Sequence, residues 1–504
     1  MNIIKDNTYN SSMQIYNDNY LKAYMDNCSE ETSISTDEES CSSTDLVSEF
    51  SDSSQSSDYL ENSDYSSTNS YANSYSHGYN DSLQSSYDHV DTVTSSISLC
   101  KLAPIEIPPH LEEKIATATA AFPDLNNSPE LSELITRLSI LDTATDTKFE
   151  ALSEAGKTSR FFIFYYQQDK ENTPSQIYIM EKFGKGATKQ NFRALSLSDK
   201  KTKAISIVTL SKVTTLDKMN QEMAMNMIVT DIKGVVVPKK MVNFQDKVAF
   251  FSSFCDKGTV EKAIILDFRS KPKELIEDFL QLAQILNKLH TEKHIIHCDI
   301  KADNIMHKTN KKTGEVKPKL IDFGVANFIG PDGIVNALGG PIVYFPPEAT
   351  SYDLLCNVRN ALASQLKSQQ NNKDAAPEAI NELKIQLDNK NKEIALAKSK
   401  ISYALDVWML GLLMYKRTCG NDVPYILELE STLLKIKKDP ATKDDPAIFT
   451  KARLDMLYKL TAQGELFPKP VDDLGVLIWE MVSLDPAQRP TMKEVADRLS
   501  KMLI

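Results

Sequence analysis

The sequence predicts an α+β fold of two lobes, a small β-rich lobe followed by a larger α-helical lobe, with an acidic tail before them. From residue 161 to about residue 262, apolar runs such as FFIFYY, QIYIMEKF and AISIVTL are typical of strands, interrupted by one helical pattern near residues 216–229. From residue 274 onward the apolar residues recur mainly at helical spacing. These two blocks, in this order, predict a sheet-rich lobe joined to a helical one.

The first hundred residues are strongly acidic. They hold 17 acidic residues against 2 basic ones, a balance of −15, so the net charge of −12 leaves about +3 for the rest. Residues 23–100 contain no Lys or Arg and are dominated by Ser, Asp, Glu, Asn and Tyr. Such a segment buries too little apolar surface to offset its chain entropy. We therefore predict a disordered Ser-, Asp- and Tyr-rich tail over residues 1–103.

Proline residues and helical patterns set the next boundaries. Prolines at 104, 108 and 109 precede two short helical patterns, which predict a helical N-terminal extension over residues 104–160. The two-lobed domain is then expected over residues 161–504, with the small lobe at 161–268 and the large lobe at 269–504.

A helical insertion is expected within the large lobe, over residues 350–402. Its apolar residues fall on heptad-like positions, broken by one lysine: Ile380, Leu383, Leu387, Ile394, Ala397 and Ile401, with Lys390. We expect this long amphipathic helix to pack on its own lobe, and docking of a partner helix is the alternative.

Composition narrows the cellular setting and the partners. The seven cysteines are scattered and form no CxxC pair, which favours a reducing compartment. The N-terminus lacks the basic and apolar regions of a signal peptide, and no run of about 18 apolar residues occurs. No basic stripe with interleaved aromatic residues follows the tail, so we expect no nucleic-acid partner. We expect a cytoplasmic protein without a membrane span, in a host cytoplasm if it is a secreted effector.

The residues most indicative of chemistry form the stretch His297-Cys298-Asp299-Ile300-Lys301-Ala302-Asp303-Asn304, followed by Asp322-Phe323-Gly324. Phosphoryl transfer needs mainly positioning and charge neutralisation. Asp299 is expected to orient the acceptor hydroxyl and take its proton, and Lys301 to steady the γ-phosphate. Asn304 and Asp322 are expected to hold Mg²⁺, which prefers oxygen ligands.

With these two motifs the sequence resembles the eukaryotic serine/threonine protein kinase family, whose catalytic loop is HRDxxxxN and whose metal motif is DFG. Three further motifs follow in the family's order: Pro346-Pro347-Glu348, Asp406-Val407-Trp408-Met409-Leu410-Gly411 and Leu484-Asp485-Pro486-Ala487-Gln488-Arg489-Pro490. Glu348 of the first and Arg489 of the last resemble the family's buried ion pair. The resemblance covers roughly residues 175–503. It implies the bilobal protein-kinase fold, ATP and Mg²⁺ as cofactors, and protein substrates with Ser/Thr acceptors.

The ATP side departs from the family pattern. The glycine loop supplies the expected ATP-binding residues Gly184, Lys185, Gly186, Ala187 and Lys189. In the family the next strand carries the ATP-contacting lysine, but here Ser206 stands in its place, while Glu222 matches the glutamate that pairs with that lysine. Lysine at position 189 resembles the with-no-lysine kinases. Three possibilities stay open: Lys189 supplies the charge, Lys203 or Lys201 supplies it, or the lysine is lost.

The segment between the lobes and the activation segment complete the prediction. Leu266, Asp267 and Phe268 are expected to form the ATP-binding hinge. Cys298 replaces the family's Arg before the catalytic Asp, and residues 325–343 contain no Ser, Thr or Tyr. Activation should therefore not depend on phosphorylation within this loop. The predicted function is a protein serine/threonine kinase, and the alternative is a pseudokinase scaffold that binds nucleotide and partner proteins.

Overall fold

The computed structural model describes most of the chain after residue 106. The described ranges are 107–141, 147–152, 159–167, 175–185, 189–212, 214–260, 272–330, 338–372, 375–439, 446–463 and 470–504. The acidic tail lies outside the described residues, and its predicted disorder stays a prediction.

Two helices open the described chain, α1 (Glu112–Ala121) and α2 (Glu130–Leu141). Their apolar residues bury a common core with the first strands of the sheet; its fully buried members include Leu111, Leu134, Leu138, Ile163 and Ile179. The region expected to be a helical extension is not helical throughout, because Lys148–Ala151 pairs with the sheet as its first strand. The extension therefore shares its core with the small lobe.

Within the described residues, seven strands form one antiparallel sheet in the order β1-β2-β3-β4-β5-β7-β6. The strands are β1 (Lys148–Ala151), β2 (Phe161–Tyr166), β3 (Gln176–Lys185), β4 (Lys189–Ser196), β5 (Thr202–Thr209), β6 (Lys240–Phe244) and β7 (Lys247–Ser253). Alternating β-branched and aromatic residues suit the two buried faces of this sheet.

Helix α3 (Leu216–Ile228) lies against the sheet where the sequence predicted a helix. Thr215 caps it, because its hydroxyl accepts a hydrogen bond from the Lys218 amide at 3.4 Å. Met219 and Met223 of α3 pack against Val208 and Phe250 of β5 and β7. This packing fixes the side of α3 that faces the sheet, and with it the position of Glu222.

The chain crosses between the lobes at residues 254–257. Strand β7 ends at Ser253, and the amide of Lys257 already donates to the His307 carbonyl of the large lobe at 3.2 Å. β7 pairs with both β5 and β6, which makes it the strand that leads out of the sheet. The predicted ATP-binding hinge residues, Leu266–Phe268, lie outside the described part of the chain, and their role stays a prediction.

The large lobe is helical, with short strands around the catalytic segment. Its helices are α4 (Pro272–Glu292), α5 (Pro347–Asn371), α6 (Pro377–Lys398), α7 (Ala404–Cys419), α8 (Pro424–Lys438), α9 (Pro446–Gln463), α10 (Asp473–Met481) and α11 (Met492–Lys501). Strands β8 (Ile295–Ile296) and β11 (Asn327–Phe328) form one pair, and β9 (Ile305–Thr309) and β10 (Val316–Leu320) form another. Helix α7 runs through the core and is buried on nearly every side, as its apolar sequence requires. The predicted two-lobed α+β fold is confirmed.

The insertion consists of two helices, α5 and α6, which pack against each other. The heptad residues of α6 are half-buried, whereas Ile385 and Leu396 elsewhere on α6 are 55% and 66% exposed, so the heptad stripe is the less exposed side of α6. Docking of a partner helix here stays a prediction. Among the described residues, no helix combines the length and apolar character that crossing a membrane requires.

Candidate active site

The catalytic loop, residues 297–304, is held in place by a side chain from the first turn of α7. Asp406 is fully buried and accepts hydrogen bonds from the amides of His297 at 2.8 Å and Cys298 at 3.0 Å. The His290 ring Nε2 donates to the same carboxylate at 2.9 Å. Burial alone would raise the pKa of Asp406, but these donors hold it below its usual value. The anchor lets Cys298 adopt a left-handed backbone with φ of 64°.

Asp299 follows this anchor and is 8% exposed. The Asn304 side-chain amide donates to the Asp299 carboxylate at 2.7 Å and to its carbonyl at 2.9 Å. The Lys301 ammonium lies 2.8 Å from the same carboxylate. The structure therefore brings three of the sequence-predicted residues into one hydrogen-bonded group.

His297 connects the loop to the DFG segment. Its Nε2 donates to the Ile321 carbonyl at 3.1 Å, and its Nδ1 accepts from the Asp299 amide at 3.3 Å. Both ring nitrogens are thus used by the neutral tautomer. Burial lowers the pKa of His297, although nearby carboxylates oppose the shift. The ring also packs edge-on against Phe323, with the ring centroids 4.7 Å apart.

Asp322 lies next to the catalytic loop. The Ile321 amide donates to the Asn304 carbonyl at 3.0 Å, which places the two predicted metal ligands on adjoining segments. Asp322 has a φ of 64°, and the Gly324 amide donates to its carboxylate at 3.3 Å. The Lys189 ammonium holds the pKa of Asp322 below its usual range.

Lys189 reaches the cleft from the first residue of β4. Its Nζ lies 2.5 Å from Glu222 Oε1 and 3.4 Å from Asp322 Oδ1. The same nitrogen lies 5.8 Å from the centroid of the Phe250 ring. Burial by itself would lower the pKa of Lys189, but Asp322 and Glu222 raise it, so the ammonium stays charged. For Glu222, burial outweighs the attraction of Lys189 and raises the pKa.

The sheet register explains why Lys189 and not Lys203 is at this place. Lys189 pairs with Val208 and Asn191 pairs with Ser206, so all four lie on the same face of the sheet. Ser206 donates to the Asn191 side-chain oxygen at 2.7 Å.

Lys203 and Lys201 lie elsewhere. The Lys203 Nζ lies 5.7 Å from the centroid of the Tyr178 ring, in the aromatic core on the opposite face. Lys201 is exposed, 3.5 Å from Asp199, near the turn between β4 and β5.

Several predicted ATP-binding residues lie outside the described part of the chain, namely Gly186, Ala187, Leu266, Asp267 and Phe268. Gly184 and Lys185 end β3, in register with Asn191 and Gln190 of β4. The glycine loop therefore leads directly into the strand that carries Lys189.

Sequence reasoning missed the roles of three residues near the active site, two at the loop before Asp299 and one at the segment that ends on Phe345. Gly340 has a φ of 128°, and a Cβ there would lie 2.3 Å from the Cys298 carbonyl oxygen, so only glycine fits. Arg453 is buried in α9 and donates to the Phe345 carbonyl at 3.3 Å. Asp406 belongs to a motif of the sequence, but the residues around it do not predict its hydrogen bonds to residues 297 and 298. Arg453 and its carbonyl partner are 108 positions apart, so no local pattern could link them.

The described residues hold no cluster of three or more His, Cys, Asp or Glu side chains that could bind a metal ion. The candidate donors are one carboxylate, Asp322, and one amide, Asn304. This donor set fits Mg²⁺, which proteins commonly bind through one or two carboxylates together with substrate phosphates.

Comparison with known proteins agrees with the geometry. The family described as "Protein kinase domain" matches residues 177–357. "Serine/threonine-protein kinase ppk34" of Schizosaccharomyces pombe is 32% identical over 132 residues, which are 25% of this chain and 35% of that protein. "Cell division control protein 7" of the same yeast is 30% identical over 179 residues, 34% of this chain and 16% of that protein. "Serine/threonine-protein kinase kin-29" of Caenorhabditis elegans is 26% identical over 178 residues, 34% of this chain and 21% of that protein.

The chain thus spans about a third or less of the length of these relatives. The matched protein kinase domain model includes the catalytic loop and the DFG segment, which the structure brings together around Asp299 and Asp322. Protein kinase domains in general use ATP and a divalent metal. By its fold, its motifs and the matched model, residues 177–357 belong to a protein kinase domain, and this domain is similar to those of eukaryotic serine/threonine protein kinases.

Proposed function

We propose that this chain is an active protein kinase that transfers the γ-phosphoryl group of ATP to Ser or Thr hydroxyls of protein substrates. The observation that supports it most is the contact of Lys189 with Glu222 at 2.5 Å. An ion pair of this kind is part of the active kinase arrangement. A chain that had lost its ATP-contacting lysine would leave Glu222 buried without a cation.

Asp299 acts as the base in this proposal. Its carboxylate is oriented by Asn304 and Lys301, so it can accept the proton of an acceptor hydroxyl while Lys301 faces the transferred group. Asn304 and Asp322 would hold Mg²⁺, which would supply charge neutralisation at the phosphates. Lys189, held by Glu222, contacts the α- and β-phosphates. Lysine two positions after Asp299 favours Ser/Thr acceptors, as the family resemblance implies.

Activation is proposed to be independent of phosphorylation within residues 325–343. Cys298 is fully buried, and burial raises the pKa of its thiol well above the usual value, so the side chain stays neutral. Unlike Arg, it has no positive charge that could pair with a phosphate. The same segment contains no hydroxyl side chain. Phosphatase-treated protein should therefore keep its activity. A large loss, with no phosphosite elsewhere in the chain to account for it, would contradict this part of the proposal.

The location is proposed to be cytoplasmic, on the pattern of scattered cysteines in the sequence.

The test is γ-phosphate transfer to a generic protein substrate by the wild type and the variants Lys189→Met, Lys203→Met and Asp299→Asn. Lys189→Met should lower kcat/KM by about 10²–10³-fold, the usual effect of removing one preorganised charge or donor. Asp299→Asn should lower it by about 10²–10⁴-fold. Lys203→Met is the matched control, a lysine of the neighbouring strand on the other face, and should retain most activity. Thermal unfolding of each variant separates loss of function from loss of fold.

Two outcomes would contradict the proposal differently. Activity that survives Lys189→Met and is lost in Lys203→Met would mean that Lys203 contacts ATP. A folded wild type that binds Mg²⁺-ATP and transfers no phosphate would favour the pseudokinase scaffold.

A further inference from the structure

A cluster of lysines lies on the β9–β10 hairpin, close to the crossover between the lobes. Residues 308–319 contain five lysines and one acidic residue, Glu315. Lys317 lies directly opposite Lys308 in the register, and Lys319 lies on the same face because side chains alternate along a strand. Lys233 lies in the turn after α3, and the carbonyl of the next residue, Gly234, accepts a hydrogen bond from the Leu320 amide at the end of β10 at 3.0 Å. This contact brings the charge of Lys233 close to the hairpin, where it acts on Lys319. We call Lys233, Lys308, Lys317 and Lys319 the lysine cluster.

The lysine cluster is electrostatically unfavourable by itself. Like charges directly opposite each other destabilise a strand pair. Burial lowers the pKa of Lys319, and its three lysine neighbours lower it further. Glu315 is paired with Lys317 at 3.0 Å, and Asp256 at the edge accepts hydrogen bonds from Thr309. These two acids leave an excess of positive charge, so the surface suits an anionic occupant.

The chain itself contains an anionic segment of the required kind. Residues 23–100 carry 15 acidic residues and no Lys or Arg, so the segment cannot neutralise its charge internally. About twenty extended residues already span up to about 70 Å, so the length of chain before residue 107 does not limit its reach. Linkage within one molecule also gives the segment a high effective concentration at the surface.

We propose that the acidic segment 23–100 binds the lysine cluster of its own molecule. The binding is electrostatic and multivalent, because exposed ion pairs are individually weak. It joins the turn after α3 to the β9–β10 hairpin. His307 of that hairpin exchanges backbone hydrogen bonds with Lys257 at the end of the crossover and with the next residue, Gly258, so the bound segment lies against the junction of the two lobes. The proposal does not depend on phosphotransfer.

Carbodiimide cross-linking of the full-length protein tests this contact, because it joins only carboxylates and amines that touch. Peptide mass spectrometry should find residues 23–100 linked to lysines of the cluster. These links should exceed those to two exposed lysines elsewhere, Lys392 and Lys451, by at least about fivefold at low salt and should fall towards background near 0.5 M salt. An equal mixture of ¹⁴N- and ¹⁵N-labelled protein distinguishes links within one molecule from links between two.

A charge reversal provides the decisive variant. Lys308→Glu with Lys317→Glu leaves Lys233 and Lys319 as reporters, and their links to residues 23–100 should fall at least about fivefold, since two attractive charges become repulsive. Lys392→Glu with Lys451→Glu is the matched control and should change nothing. If the reversal impairs folding, as judged by thermal unfolding, Lys308→Gln with Lys317→Gln should still reduce the reporter links.

Three results would overturn the proposal. The first is an even spread of links over all exposed lysines, or links that survive the reversal. The second is links only between differently labelled molecules, which would assign the surface to the tail of a second copy. The third is a labelled single-stranded RNA whose binding to the full chain depends on Lys308 and Lys317 while the tail links do not, which would assign the surface to nucleic acid.

Discussion

The two walls of the active-site cleft differ in how strictly each residue is tied to its position. On the large-lobe wall, Asp299 is held by Asn304 and Lys301, and the loop backbone is held by buried Asp406. On the small-lobe wall, the ammonium at the cleft belongs to Lys189, and the position that the family gives to lysine holds Ser206.

The difference has a physical cause. Backbone hydrogen bonds to a buried carboxylate depend on one residue at one place, since moving it by a single position would point it elsewhere. A lysine has a long flexible side chain, so a neighbouring strand on the same face can deliver its charge to the same point. A residue that anchors the loop backbone therefore has to stand at one position in the sequence, whereas the lysine at the cleft can stand on either of two neighbouring strands.

The largest effect is expected in the large lobe, where buried ion pairs hold the structure. Arg489 is buried and pairs with Glu348 at 2.6 and 2.9 Å, and it also donates to the carbonyls of Ser483 and Ala404. Arg489→Leu leaves the Glu348 carboxylate buried without a partner, so the free energy of unfolding should fall by about 3–5 kcal/mol. The control is Arg498→Leu, because the Arg498 and Glu480 side chains are about a third exposed. Its cost should be about 1 kcal/mol or less. Urea unfolding measures both, and equal losses would contradict the distinction.

The second prediction tests whether a lysine on the neighbouring strand can replace Lys189. Lys189→Gly should lower kcat/KM by about 10²–10³-fold. Adding Ser206→Lys places an ammonium on the same sheet face, opposite Asn191. Because Glu222 can pair with this ammonium, kcat/KM should rise at least about tenfold above that of Lys189→Gly. Steady-state kinetics of the single and double variants give the answer, with Lys189→Gly plus Lys203→Arg as the control that should recover nothing. If the double variant stays as inactive as Lys189→Gly, the position of the lysine matters beyond its charge.

The third prediction concerns pH and the ring that joins the two catalytic segments. The folded state lowers the pKa of His297 by burying it, and its Nδ1 already accepts from the Asp299 amide. Below the unfolded pKa of about 6.5, the unfolded state therefore binds more protons, and stability falls as pH falls until the folded pKa is passed. The slope from this one group is at most about 1.4 kcal/mol per pH unit. Urea unfolding between about pH 7.5 and pH 5 should show a shallower slope for His297→Phe than for the wild type. Equal slopes would mean that His297 is not the titrating group.

The smallest expected effect is at the vacated lysine position. Ser206→Ala removes the hydrogen bond to the Asn191 oxygen and should cost about 0.5–1.5 kcal/mol of stability. Because Ser206 contributes no charge, kcat/KM should stay within about threefold of the wild type. Thermal unfolding and kinetics on the same preparation measure the two quantities. A fall in activity as large as that of Lys189→Met would mean that Ser206 itself takes part in catalysis, although it carries no charge.

The sequence predicted the parts of this molecule that local patterns encode. Helix α3, the strand-rich small lobe and the catalytic loop each follow from neighbouring residues, and the two-lobed fold follows from their order. Residues 254–257 and residues 266–268 both follow apolar runs, so the sequence alone does not show that the chain leaves the sheet after β7, which the pairing of β7 with β5 and β6 shows. The heptad pattern of residues 380–401 predicted one amphipathic helix, which corresponds to α6, whereas the packing of α6 against a second helix, α5, has no signal in that pattern.

The contacts of the candidate site were predicted less completely. The pairing of Lys189 with Glu222 depends on which residues face each other across β4 and β5, a register that one strand does not specify. Asp406 and Arg453 act on backbone groups more than a hundred positions away. Such contacts arise from tertiary packing, so no spacing in the sequence announces them.

The hydrogen-bonded pair of Ser206 and Asn191 has a consequence for inhibitor design. A compound that relies on an ammonium at the position of Ser206 meets a neutral hydroxyl and amide instead. A compound shaped to bond that neutral pair would, in turn, clash with the longer lysine side chain that most protein kinases carry there. The vacated position is therefore a place where a ligand can gain selectivity for this chain.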